Sequence, residues 1–365
     1  MSAQKSNGSS EPKIFDTIFN DVRKGDLRRT MRRDLKDLKA FYINDERKKR
    51  LEKMGRFKRW FFITIWLFKS LFFKLTPARR LLFIIAFIFL FTANSGNMQT
   101  GSNGLLFAGL IFLFILMLEL KDKLLAKDEL ETGRSVQYAL MPERSINIQG
   151  WELYLFSRPA NEVGGDLIDF IPLRENRHGV VLGDVSGKGL GAALFMVRLQ
   201  AVIRAIAPDY ESLAKFGKKI NEIFYRDRMN NKFASVVYCE IQSGSNRLNM
   251  LNAGHMPPII LKDGRIEELA KGQPALGIMP DIDYNETILE LQKGHSLLIY
   301  SDGVTEARNP EGEFYTEQRL FKILTSMTGL SAKDIGERLT SEIDRFVGDA
   351  PANDDLSLII LKRTE

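Results

Sequence analysis

A single cysteine and only three histidines occur in 365 residues. One cysteine excludes an internal disulfide framework. So few thiols and imidazoles also give little support to a zinc site. No apolar run follows Met1, so a secretory signal is not expected. Acids are scarce at the start. Residues 1–80 hold 22 Lys/Arg against 9 Asp/Glu, a net of +13, which leaves −7 for residues 81–365. Residues 1–12 are Ser-rich and read as disordered. This length has room for one sizeable domain and a smaller segment.

Residues 23–59 form a basic run that includes Arg28-Arg29, Arg32-Arg33 and Arg47-Lys48-Lys49-Arg50. Such a run can serve nucleic acid, but the next segment argues for anionic membrane lipid as the partner and against nucleic acid. Trp60 to Phe73 is apolar and aromatic, interrupted by Lys69, which suits an interfacial helix near 57–75. Leu81 to Ala93 is apolar except for Thr92, and Leu105 to Leu118 is uncharged and apolar throughout. Asn94 to Gly104 between them is small and polar, too short for an external sensor domain. As two helices, residues 81–120 run about 60 Å, enough for two crossings of a roughly 30 Å core. Arg79 and Arg80 precede the pair while Lys121 and Lys123 follow it, so both flanks are expected on the cytoplasmic side. The expected domains are a basic cytoplasmic region at 1–80, a two-helix transmembrane hairpin at 81–120, a connecting helix at 121–142 and a folded domain at 143–365.

Within that domain, Gly183-Asp184-Val185-Ser186-Gly187-Lys188-Gly189 delivers an acid from an apolar strand into a glycine turn before a helix. Such a turn can cradle a phosphate or hold a cation. Gly187-x-Gly189-x-x-Ala192 matches a dinucleotide fingerprint in spacing. That motif also needs an acid closing a second strand about 20 residues on, whereas Asp209 follows the helix with no strand between. A P-loop fails too, because Gly183-x-x-x-Gly187-Lys188 is one residue short and Gly189 stands where Ser or Thr belongs.

The cation reading gains from three further acids beside glycines or at strand ends, Asp166, Asp302 and Asp354. One Asp at a turn is usually structural, since its side chain bonds to nearby backbone. Four at strand ends can converge if the strands share a sheet. Close carboxylates cannot all ionise without a compensating cation. Oxygen-only ligands point to magnesium or manganese.

Five segments carry a resemblance: Val163-Gly164-Gly165-Asp166-Leu167-Ile168-Asp169-Phe170, Gly183 to Gly189, Asn252-Ala253-Gly254-His255-Met256-Pro257-Pro258, Ser301-Asp302-Gly303-Val304-Thr305-Glu306-Ala307 and Asp354-Asp355-Leu356-Ser357. In order and content they resemble the signature blocks of the bacterial metal-dependent, protein phosphatase 2C-like serine/threonine phosphatases. The branch is that of sporulation stage II protein E and the sigma-factor-regulating phosphatases. The likeness covers about residues 135 to 363. Lys188 stands where many relatives have His, and Gly191 where many have Pro.

Strands are expected at 151–156, 163–171, 180–184, 234–241, 248–252, 259–261, 287–291, 296–300 and 356–361. Helices are expected near 190–206, 210–229, 316–326 and 331–346. This order reads as α+β. The resemblance sharpens it to two packed antiparallel sheets flanked by helices, with the site between the sheets at one edge.

By the same resemblance, Asp184 bridges two Mn2+ or Mg2+ ions and the Val185 carbonyl binds one of them. Asp302 and Asp354 complete the second ion's shell, and Asp166 binds a metal directly or through water. Asp184 and Asp302 are the expected catalytic pair. Asp169 and Asp355 remain open as ligands, and Asp355 has the alternative of capping the turn into the last strand. Lys188 and Arg158 are candidates to meet a substrate phosphate. His255 reads as a turn residue rather than an acid/base. Paired ions can activate a water for in-line attack on phosphorus, so no side-chain nucleophile is required. Cys239 does not offer one: the Arg of a tyrosine-phosphatase loop would fall at Ser245, and Cys239 reads as a buried thiol.

The implied function is a membrane-anchored phosphoserine/phosphothreonine protein phosphatase with its catalytic domain in the cytoplasm, at the inner (cytoplasmic) membrane. Its implied substrate is a phosphorylated regulator of the anti-sigma-factor-antagonist type, and the connecting helix is implied to support a homodimer. A non-catalytic signalling scaffold of the same fold is the alternative.

Overall fold

The computed structural model describes residues 51, 54–93, 98–227 and 232–365, and the chain splits into two compact units, Met1–Lys123 and Leu124–Glu365. The Ser-rich start and most of the basic run lie outside the described residues.

In the first unit, α1 spans Arg56–Lys74 and α2 spans Pro77–Ala93. Proline suits the first helical position because its missing N–H would have no partner there. The third helix, α3, begins at Met98 inside the expected loop and runs unbroken to Leu140. The change from apolar to charged residues at Glu119 alters what the helix faces, not whether it can form. No proline falls within residues 98–140, and Pro142 follows the end of the helix. Rings pack α2 against its neighbours: Phe83 lies 5.4 Å from Phe68 of α1 and 5.5 Å from Phe112 of α3. Arg79 binds Glu119 at 2.7 Å and Asp122 at 2.6 Å. Leu105, Leu106, Leu110, Leu113 and Leu116 are each more than half exposed.

Among the described residues, the second unit holds eleven strands. A six-stranded sheet has the order β1-β2-β11-β10-β7-β8, from Ser145–Ile148 (β1), Trp151–Arg158 (β2), Ile259–Lys262 (β7), Arg265–Glu268 (β8), Ser296–Tyr300 (β10) and Leu356–Arg363 (β11). A five-stranded sheet has the order β3-β4-β5-β6-β9, from Leu167–Pro172 (β3), Arg177–Val185 (β4), Ala234–Gln242 (β5), Arg247–Ala253 (β6) and Thr287–Glu290 (β9). Every ladder between these strands is antiparallel.

Two-residue periodicity then builds the layers. Val180 and Leu182 of β4 meet Ile359 and Leu361 of β11 in a core between the sheets. Val181 faces instead the helices Leu190–Ile206 (α4) and Leu213–Arg226 (α5), with Phe195, Leu199 and Phe216. On the far side, Leu358 and Ile360 pack on Ile335, Leu339 and Ile343 of Ala332–Val347, and on Leu320 of Glu317–Thr325. The latter helix is α7 and the former α8, following the one-turn helix α6 at Asp302–Thr305. The result is a helix–sheet–sheet–helix sandwich. α4 is apolar enough to cross a membrane by composition, yet Leu199 and Ile203 are fully buried in this core.

Candidate active site

Strand register gathers the acids. Leu167 of β3 pairs with Gly183 of β4, so Asp166 and Asp184 stand together at one edge of their sheet. Tyr300 of β10 pairs with Leu358 of β11, so Asp302 just past one strand and Asp354 just before the other share an edge of the second sheet. The two edges meet. Burial first, and then the charges of Asp302, Asp354 and Asp355, push the Asp184 carboxyl up to about 7. Burial, Asp184 and Asp355 raise Asp166 well above the usual carboxylate range. Burial and Asp354 raise Asp302.

Asp166 is 5% exposed, and its Oδ2 is buried without a hydrogen-bond partner. A buried carboxylate oxygen with no partner costs free energy unless a cation or proton meets it. The donor set is all oxygen, mutually repelling and partly buried, which fits hard divalent ions. Among the described residues, no three Asp, Glu, His or Cys side chains are arranged to hold an ion as they stand. Asp354 is held by an ion pair, with its Oδ2 2.8 Å from Lys188 Nζ.

Glycines make room for the turn. Gly187 and Gly189 hold φ of +94° and +74°, where a side chain is strained. At Gly303 a Cβ would lie 1.9 Å from the Asp355 carbonyl oxygen, so only glycine fits. The Val185 carbonyl lies close to the Asp166 loop, since a Cβ on Gly165 would sit 3.3 Å from it.

The two acids left open by the sequence serve the backbone and a salt bridge. Asp355 Oδ1 accepts from Ala160 N–H at 2.7 Å, and Oδ2 accepts from Gly165 N–H at 2.6 Å. Asp169 is fully buried, with its oxygens 2.6 and 2.7 Å from the Arg204 guanidinium. Arg158 binds Asp344 of α8 through both guanidinium arms, at 3.1 and 2.5 Å. Cys239 is buried, and burial pushes its thiol up, so it offers no thiolate.

Two supports escaped sequence reasoning. Gln137, near the end of α3, donates to the Gly164 carbonyl at 2.9 Å and accepts from Gly164 N–H at 3.1 Å. Lys232 Nζ donates to the Ser186 carbonyl at 2.8 Å and braces the glycine turn. Each acts on backbone far away in sequence, and no local motif signals that.

This sandwich, with acids at its strand tips, is the protein phosphatase 2C-like arrangement. The SiaA-PP2C domain of Pseudomonas aeruginosa superposes with a TM-score of 0.57 at 18% identity, covering 67% of this chain and 99% of that one. Residues 174–364 match the Stage II sporulation protein E (SpoIIE) family, and the chain belongs to it. The protein is 30% identical over 264 residues to Protein IcfG of Synechocystis sp., a match that covers 64% of this chain. It is 26% identical over 239 residues to the phosphoserine phosphatase RsbU of Bacillus subtilis, covering 65% of this chain and 70% of RsbU. The chain spans only 41% of the length of IcfG.

Proposed function

We propose that the protein is a metal-dependent phosphoserine/phosphothreonine protein phosphatase anchored in a membrane. The single observation that carries the activity is the buried, unpartnered Oδ2 of Asp166 among carboxyls whose proton affinities are raised by burial and by one another. Asp166, Asp184, Asp302, Asp354 and the Val185 carbonyl would hold two Mn2+ or Mg2+ ions. Bound there, such ions lower the pKa of a water toward about 7 and offset charge on phosphoryl oxygens. Asp184 and Asp302 supply the fixed negative charge that orients the centre, and neither acts as a nucleophile. Lys188, once freed from Asp354, offers a cation to the phosphate. RsbU, a relative, is itself a phosphoserine phosphatase by name.

The substrate we infer is a phosphorylated regulatory protein of the anti-sigma-factor-antagonist type, which rests on family kinship. The anchor is the α2–α3 pair, whose apolar side chains stand exposed and whose flanking Arg79, Arg80, Lys121 and Lys123 favour a cytoplasmic catalytic domain. Exposed Leu124, Leu125, Val136 and Tyr138 on α3 support pairing with a second copy. The test is hydrolysis of a phosphoserine protein by the full chain with Mn2+. Wild type is expected to turn over, while Asp184→Asn and Asp302→Asn lose nearly all activity. Equal rates in all three would defeat the enzyme reading and leave a scaffold.

A further inference from the structure

His255 stands at the crossing between the sheets. Strand β6 ends at Ala253, Gly254 turns at φ +73°, and the chain enters β7 of the other sheet at Ile259. Asn252 fixes this turn from both sides: Oδ1 accepts the His255 N–H at 2.9 Å, and Nδ2 donates to the His255 carbonyl at 3.2 Å. The residue is 6% exposed.

Both ring nitrogens are occupied. Nε2 lies 3.1 Å from the Tyr300 carbonyl oxygen, and Nδ1 lies 2.9 Å from Ser235 Oγ. A carbonyl oxygen only accepts, so the proton sits on Nε2, and Nδ1 then accepts from the Ser235 hydroxyl. Burial pushes the imidazole down to about 4, so it is neutral at ordinary pH. Each partner adjoins an acid of the site. Ser235 is the register partner of Asp184 across β4 and β5, and Tyr300 precedes Asp302 by two residues.

We propose that His255 is a positioning residue, a rigid strut whose two opposed ring nitrogens tie the tip of β10 to β5 and so set the spacing of Asp184 and Asp302. The role rests on the metal-centre reading above. His255 touches neither ion nor substrate. A Gln cannot replace it, because its donor and acceptor leave one carbon and cannot reach in opposite directions.

The test is calorimetric titration of Mn2+ into the full chain in detergent, for wild type, His255→Ala, Ser235→Ala and Ser235→Thr. Loss of the strut is expected to weaken Mn2+ binding roughly tenfold in both alanine variants, the range seen for groups that orient metal ligands. Ser235→Thr keeps the hydroxyl and is expected to bind like wild type. Nitrogen-15 spectra of the histidine-labelled chain are expected to show a neutral Nε2–H ring at neutral pH. Wild-type affinity in Ser235→Ala would overturn the proposal even if His255→Ala failed to fold, and so would an Nδ1–H ring. A flat titration of the wild type would defeat the metal-centre reading and this role with it, and is distinguishable because it appears before any substitution.

Discussion

Lys188 is tied to Asp354 at the rim of the acidic cluster: its Nζ donates to Asp354 Oδ2 and to the Asn353 carbonyl, both at 2.8 Å. The pair is partly exposed, at 54% and 32%, so it is worth at most about 1 kcal/mol. That is enough to compete with an ion at the rim. Lys188→Ala is therefore expected to tighten Mn2+ binding roughly two- to fivefold while raising KM for a phosphoprotein. Weaker Mn2+ binding in calorimetry would contradict this.

Ion-free protein is expected to depend on pH through Asp184. Its folded-state pKa, about 7, exceeds the unfolded value of about 3.9, so the native state binds more protons between those limits. Stability from the protonated carboxyl is complete below about pH 4 and is lost as pH rises to about 7. His255, pushed down to about 4, acts in the opposite sense below about 6.5, so the comparison must isolate one group. Asp184→Asn is expected to be more stable than wild type at pH 8 in EDTA, by on the order of a few kcal/mol, with the gap closing toward pH 4. Urea denaturation at the two pH values measures it, and a gap that widens toward low pH would refute it.

Arg204→Ala leaves Asp169 buried without its partner. The expected loss is about 3 kcal/mol of stability, with Mn2+ affinity unchanged. A large fall in Mn2+ affinity in a folded Arg204→Ala protein would show that Asp169 belongs to the metal centre after all.

Gln137→Ala strands the N–H and carbonyl of Gly164, two residues before Asp166. A loss of about 2 kcal/mol or more is expected, together with weaker Mn2+ binding, because the Asp166 loop loses one of its two clamps. Asp355, the other clamp, would still hold Gly165. Denaturation and calorimetry on the same preparation separate the two effects.

Local signals made the strand tips legible. Acids beside glycine at the ends of apolar runs marked Asp166, Asp184 and Asp302, and the apolar runs at 180–184 and 356–361 marked β4 and β11 as strands. The expected strand at 163–171 begins only at Leu167 because the backbone of Gly164 and Gly165 is taken by Gln137 and Asp355, not by a neighbouring strand. Those partners lie 27 and 190 residues away, beyond the reach of any pattern. Strands β1 and β8 were missed because each is a four-residue edge strand with little burial. α5 starts at Leu213 rather than 210 because Ser212 caps it, accepting from Lys215 N–H.

The most direct measurement is a crystal of the catalytic protein soaked in Mn2+ and read by anomalous scattering. Two manganese peaks about 3.5–4 Å apart, touched by Asp166, Asp184, Asp302 and Asp354, are expected. Absence of manganese there, or its binding elsewhere while these carboxylates stay apart, would contradict the metal centre and the phosphatase reading built on it.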